Sequence, residues 1–124
     1  MNSELNLHYK DGSGYNQNIQ VIINGTFTDV QLEMIKSKLN DDKFLIAEQV
    51  GLPSPQDEMA RNNAFPTEED HVWSSFPEFD DRTPIASEFS TDLPATSKLT
   101  VEELVKTFST IKWQEQEEME RLGL

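Results

Sequence analysis

The sequence predicts an α+β domain: an antiparallel or mixed sheet of three to four strands in a β-β-α-β core with one packed helix, an acidic proline-containing irregular segment and a C-terminal helix. Three observations carry that class. Two stretches alternate apolar and polar residues on either side of a glycine-bearing turn; one helix-start signal occurs twice, at 27–32 and 99–104; and all six prolines fall between Pro53 and Pro94.

Leu5, Leu7 and Tyr9 alternate with Asn6, His8 and Lys10, the period-two pattern of a strand with one buried face, and Ile19, Val21 and Ile23 repeat it. The "KDGSG" between them reads as the turn of a hairpin. In "FTDVQL", Thr28 stands three residues before Gln31 and Phe27 five before Leu32, a capping box with a hydrophobic staple. A helix is expected over 29–39, with Leu32, Ile35 and Leu39 inward and Asn40, Asp41 and Asp42 ending it. "KFLIAEQV", 43–50, reads as a third strand stopped by "GLP". Ser54 as a cap with Pro55 at the first helical position predicts a short helix over 55–62, and "HVWSSF", 71–76, a fourth strand. At the other end, Leu99, Thr100, Glu103 and Leu104 repeat the capping box and staple. They open a helix expected over 101–122 and closed by Gly123. This divides a single domain into a core at 1–76, the irregular segment at 77–98 and the helix at 99–124.

The chain has 23 acidic residues against 10 basic ones, a net charge of −13. Residues 53–98 hold ten of the acids and three of the bases. Such a chain is repelled by nucleic-acid phosphate and anionic lipid, so direct nucleic-acid or membrane binding is not expected. A protein partner would be basic or neutral. Cysteine is absent, which removes disulfides and thiolate chemistry. No run over 1–25 resembles a signal-peptide core and none approaches the ~20 apolar residues of a spanning helix, so the expected location is cytoplasmic.

"LHYKDGSGYN" invites a phosphate-cradle reading, but Lys10 precedes the glycines and a strand, not a helix, follows them, so a turn is expected. His8, Asp70 and His71 are the residues from which a metal site, and with it a small metal-dependent enzyme, would be built. Neither a catalytic residue nor a cofactor is expected, because the acid pairs sit in solvated loops and the serines have no triad context. Trp73, Phe76 and Phe79, with Asp80 and Asp81, read either as core anchors or as an aromatic-plus-acidic docking segment for a basic partner. The stripe of Leu104, Phe108, Ile111, Met119 and Leu122 serves either its own sheet or a second copy in a homodimer.

"LHYKDGSGYN", taken with "LIAEQVGLP" and "DHVW", resembles a group of small uncharacterised bacterial and phage or plasmid proteins that open with a similar strand-loop-strand. The resemblance covers residues 1–52 and 70–73 and implies a small accessory protein with an α+β core; it implies nothing for residues from 77 onward. The function expected is that of an acidic, non-catalytic accessory protein acting through protein–protein contact. Its sharper form is an inhibitor that imitates nucleic acid.

Overall fold

A computed structural model describes residues 1–62, 65–77 and 85–124. Among these, five strands and four α-helices form an α+β fold. Strands β1 (Asn2–Lys10) and β2 (Asn16–Asn24) make the expected hairpin, paired without a break from Asn2 opposite Asn24 to Lys10 opposite Asn16. The sheet order is β2-β1-β4-β3, with β4 at Ser74–Ser75 and β3 at Phe44–Leu45, and β5 (Ser90–Thr91) pairs with the start of β1. Every strand pairing is antiparallel.

The period-two pattern does what it predicts. Leu5, Leu7, Tyr9, Val21 and Ile23 are buried on one face, whereas Asn6, Lys10, Asn16, Asn18 and Gln20 are exposed on the other. Helix α1 (Asp29–Lys38) carries the complete Thr28–Gln31 capping box and buries Leu32 and Ile35. It packs beside α3 (Val101–Ser109), whose Thr100–Glu103 box is also complete and which buries Val101, Leu104 and Phe108. These residues join the sheet in one cluster that runs from Leu5 to Phe108, so the C-terminal segment belongs to the same core as the hairpin. Replacing Thr100 by alanine is expected to cost about 1 kcal/mol, read by urea denaturation, because the Glu103 N–H loses its acceptor at 3.1 Å.

Three expectations are corrected. The strand over 43–50 is two residues long and gives way to a 3-10 turn at Ala47–Val50, closed by Gly51 in the left-handed region. Leu45, Ile46 and Ala47 still alternate, as in a strand, between the main cluster and a second one with Val72 and Leu122, but Val50 joins Ala47 in the main cluster, a three-residue spacing that a helical turn provides and a strand does not. The helix over 101–122 is two helices, α3 and α4 (Glu115–Leu122). Between them the Trp113 indole donates to the Lys38 carbonyl at 3.0 Å, and Gln49 exchanges hydrogen bonds with the Gln114 backbone at 2.9 and 2.8 Å. These tertiary bonds replace the intrahelical ones. Helix α2 (Pro55–Asn62) forms as expected, but the Ser54 hydroxyl donates to the Gln56 side chain, and the Ser54 carbonyl takes the Asp57 N–H.

Among the described residues of the irregular segment, β5 pairs with β1, Thr96 bonds to Ile22, and Phe89 is the buried aromatic anchor. Phe89 is buried against Phe27 and Phe76, with ring centroids 5.9 and 6.3 Å away, while Ile85 and Leu93 are exposed. No helix among the described residues is long and apolar enough to cross a membrane.

Candidate functional site

The hairpin turn is held from two sides. Within it, the Asp11 carboxylate accepts from the Ser13 N–H and hydroxyl and from the Tyr15 N–H at 3.0, 3.1 and 2.9 Å. Desolvation works against the charge there, but these hydrogen bonds outweigh it and hold the carboxyl below its ordinary range. Gly14 sits at φ +96°, a conformation that the glycine makes easy. From outside, the segment 69–71 lies against the turn: the Gly12 N–H donates to the Glu69 carbonyl at 2.9 Å, and a Cβ at Gly12 would stand 2.4 Å from the Glu69 carboxylate. The glycines thus serve a turn and a close approach, as the order of Lys10 and its neighbours implies.

Tyr9 is fully buried at the end of β1, and its hydroxyl donates to Asp70 Oδ1 at 2.5 Å and accepts from the His71 N–H at 3.1 Å. Asp70 Oδ2 accepts from the Thr67 N–H at 2.8 Å, so the carboxylate caps its own loop. Burial first, and the Asp70 hydrogen bond second, push the Tyr9 hydroxyl well above the usual tyrosine range. The folded chain therefore holds the neutral phenol more firmly than the unfolded chain does. The associated stability is present below pH ~10, the ordinary tyrosine value, and is lost as pH rises beyond it. Tyr9→Phe is expected to cost about 1–3 kcal/mol at neutral pH, by leaving the His71 N–H without its acceptor. It is also expected to flatten the fall in melting temperature above pH ~10, read by circular dichroism across an alkaline series.

His71 is oriented by backbone at both ring nitrogens: Nδ1 accepts from the Trp73 N–H at 3.1 Å and Nε2 faces the Lys10 carbonyl at 2.8 Å. The neutral tautomer with its proton on Nε2 satisfies both. The ring also stands edge-on to Tyr9, with centroids 4.9 Å apart. Beneath it, the buried Gln56 amide donates to the carbonyls of His71 and Trp73 at 3.2 and 3.4 Å and accepts from Ser74 at 2.9 Å. Helix α2 thereby fixes the 71–74 segment.

These supports build one wall of an open cleft of about 510 Å³. The end of β1 contributes His8 and Lys10, the turn Asp11, the loop after α1 Asn40 and Asp41, β3 Phe44, and the 71–75 segment His71, Trp73 and Ser75. Asp41 and Asp42 have φ of 53° and 59°, and the Lys43 N–H closes on the Asn40 carbonyl at 3.1 Å. Two consecutive left-handed residues make a tight hairpin turn, which puts Asp41 at the cleft rim. The indole of Trp73 is half-buried, backed edge-on by Trp113 at 6.2 Å.

Of the residues singled out from the sequence, the cleft gathers His8, His71 and Trp73. His8 Nε2 lies 2.7 Å from the Asn16 side chain. Asp70 turns inward to Tyr9, and no three His, Asp or Glu side chains among the described residues converge as metal ligands. Phe76 is buried in the core, 6.2 Å from Phe108, and has little surface to offer a partner. Phe79, Asp80 and Asp81 lie outside the described residues. Reasoning from the sequence missed Gln56 and Phe44, and placed Asn40 and Asp41 only as the end of a helix, with Asp41 in an acid pair of a solvated loop; the clustered "NDD" at 40–42 carries a local signal, for a turn. The stripe offered to a second copy instead serves its own chain, with Leu104 and Phe108 in the main cluster and Leu122 in the second.

No family model, curated protein or solved structure matches this chain.

Proposed function

We propose that the protein is a small acidic accessory protein that acts by binding a basic protein partner and performs no covalent chemistry. The observation that carries this reading is the makeup of the cleft. Half-buried Trp73 and Phe44 offer planar and apolar contact area, Asp11 and Asp41 stand beside them with Lys10 as the one lysine of the lining, and the whole chain carries −13. Aromatic area with flanking carboxylates suits a lysine or arginine side chain, whose charge meets the acids and whose stem or guanidinium lies on the ring. Two of the groups at or near the cleft that have proton-transfer chemistry are held by other bonds: His71 by two backbone groups, Asp70 by Tyr9 and Thr67.

The long-range field adds to this. Acids outnumber bases more than two to one, so a basic protein is attracted before contact and released by salt. In its sharper form the reading makes the protein an inhibitor that occupies a nucleic-acid-binding surface by presenting carboxylates where phosphates would lie. The test is retention of basic, nucleic-acid-handling proteins on the immobilised chain, with a Trp73→Ala, Asp41→Asn variant as control. Asparagine tolerates the left-handed backbone at 41, so the control keeps the turn.

A further inference from the structure

The two edges of the β1–β2 hairpin are treated differently. Toward β1's outer side, β5 and β4 pair with its two ends. Strand β2 is the terminal strand of the sheet, and only its second half is covered: the Ile22 N–H meets the Thr96 hydroxyl at 2.9 Å, the Ile22 carbonyl takes the Thr96 N–H at 2.8 Å, and the Asn24 N–H reaches the Leu99 carbonyl at 3.0 Å. Since outward backbone groups alternate along a strand, Asn16, Asn18 and Gln20 face the same side as Ile22 and Asn24. Among the described residues no backbone group of another strand meets them there; the Asn18 carbonyl accepts only the neighbouring Gln17 side-chain amide, at 3.1 Å.

Proteins ordinarily protect an open edge with a lysine, a proline or a bulge. "NQNIQ", 16–20, has none of these, and β2 carries no charged residue. Its side chains are amides and one half-buried isoleucine. An amide both donates and accepts, so this edge complements itself, and beside Gln17, Asn18 and Ile19 stand Asp57, Glu58 and Arg61 of α2, a set that holds both signs of charge.

We infer that the 16–20 edge of β2 pairs with the same edge of a second copy of this chain, antiparallel about a two-fold axis at Asn18. In that register Asn18 faces its equivalent, Asn16 faces the second copy's Gln20, and each such pair exchanges two backbone hydrogen bonds. Gln17 then lies opposite the second copy's Ile19 and covers it. The Gln17 amide that now meets the Asn18 carbonyl is displaced by a backbone N–H. The contact ends where residues 96–99 cover the strand, so it is far smaller than the ~1,600 Å² of a standard interface and the dimer is weak. Two chains of −13 repel one another, so association strengthens with salt, the opposite of a charge-driven complex.

Sedimentation velocity of the full chain, over a range of concentrations and in low salt and about 1 M salt, where the screening length is ~3 Å, tests this. The expected result is a weight-average mass that climbs from 14.2 kDa toward twice that value, further in high salt, with the Asn18 and Gln20 amides gaining hydrogen-exchange protection as concentration rises. Asn18→Pro removes an N–H the hairpin ladder does not use, and Asn18→Glu sets two like charges on the axis. Both are expected to stay at the monomer mass with melting temperatures close to that of the parent chain. A parent chain that remains monomeric at high concentration and high salt overturns the inference. So does a dimer that forms equally in the Asn18→Glu variant, which would place the interface elsewhere.

Discussion

Replacing Phe108 by alanine is expected to lower the unfolding free energy by about 3–5 kcal/mol, measured by urea denaturation. Phe108 is fully buried and stands where three parts of the chain meet. Its ring packs edge-on to Phe76 at 6.2 Å and to Trp113 at 5.9 Å, while α3 carries it against the sheet and α1. Alanine leaves a cavity that two aromatic neighbours, themselves anchored, cannot fill by relaxing. A domain of this size has ~5–15 kcal/mol in all, so the variant is expected to melt far below the parent. Phe108→Leu keeps most of the volume and is expected to cost under half as much. Equal losses in the two variants would mean that the ring contacts with Phe76 and Trp113, rather than the volume filled, are what matters there.

The second large effect concerns Glu118 and Arg121. Glu118 is only 2% exposed, and its two oxygens take Arg121 Nε and Nη2 at 2.5 and 2.9 Å, while Arg121 Nη1 also reaches Asp57 on α2 at 3.1 Å. This double engagement, Glu118 foremost, holds the guanidinium charge more firmly than in water. Arg121→Ala removes the partner of a buried carboxylate and is expected to cost about 3 kcal/mol, the low end for breaking a buried pair because water reaches one side of the arginine. Adding Glu118→Gln is expected to recover much of the loss, since the double variant has no unpaired charge to bury. If the single and double variants are equally unstable, the arginine acts through packing of its stem rather than through the ion pair.

What was legible in the sequence was what is local. The hairpin follows from a period-two pattern on each side of a turn, and both capping boxes formed because Thr28 with Gln31, and Thr100 with Glu103, need only each other. What was not legible depended on partners far along the chain. The break in the C-terminal helix is made by Lys38 and Gln49, 65 or more positions away, and "QEQEE" falling out of register with the apolar stripe was its only local trace. The run at 43–50 reads as a strand until Val50 joins Ala47 in the main cluster, two positions that a strand would put on opposite sides.

The same division holds at the cleft. His8, His71 and Trp73 stood out by residue type alone, yet their roles follow from bonds the sequence does not announce: Tyr9 to Asp70 across 61 positions, and Gln56 to the 71–74 backbone. Those bonds turn Asp70 and the His71 ring into supports and leave Trp73, Phe44 and Asp41 at the surface. The docking reading of 73–81 therefore contracts to Trp73 among the described residues, and gains Phe44 and Asp41 from loops that sequence reasoning had assigned only to turns and strands.

The proposed function is the binding of a basic protein at this cleft. It is tested most directly by passing basic, nucleic-acid-handling proteins over the immobilised full chain and over the Trp73→Ala, Asp41→Asn variant in low salt, then eluting with salt. Retention of a discrete basic protein by the parent chain, its release by salt and its loss in the variant are expected. No retention in low salt, or retention the variant matches, would contradict it.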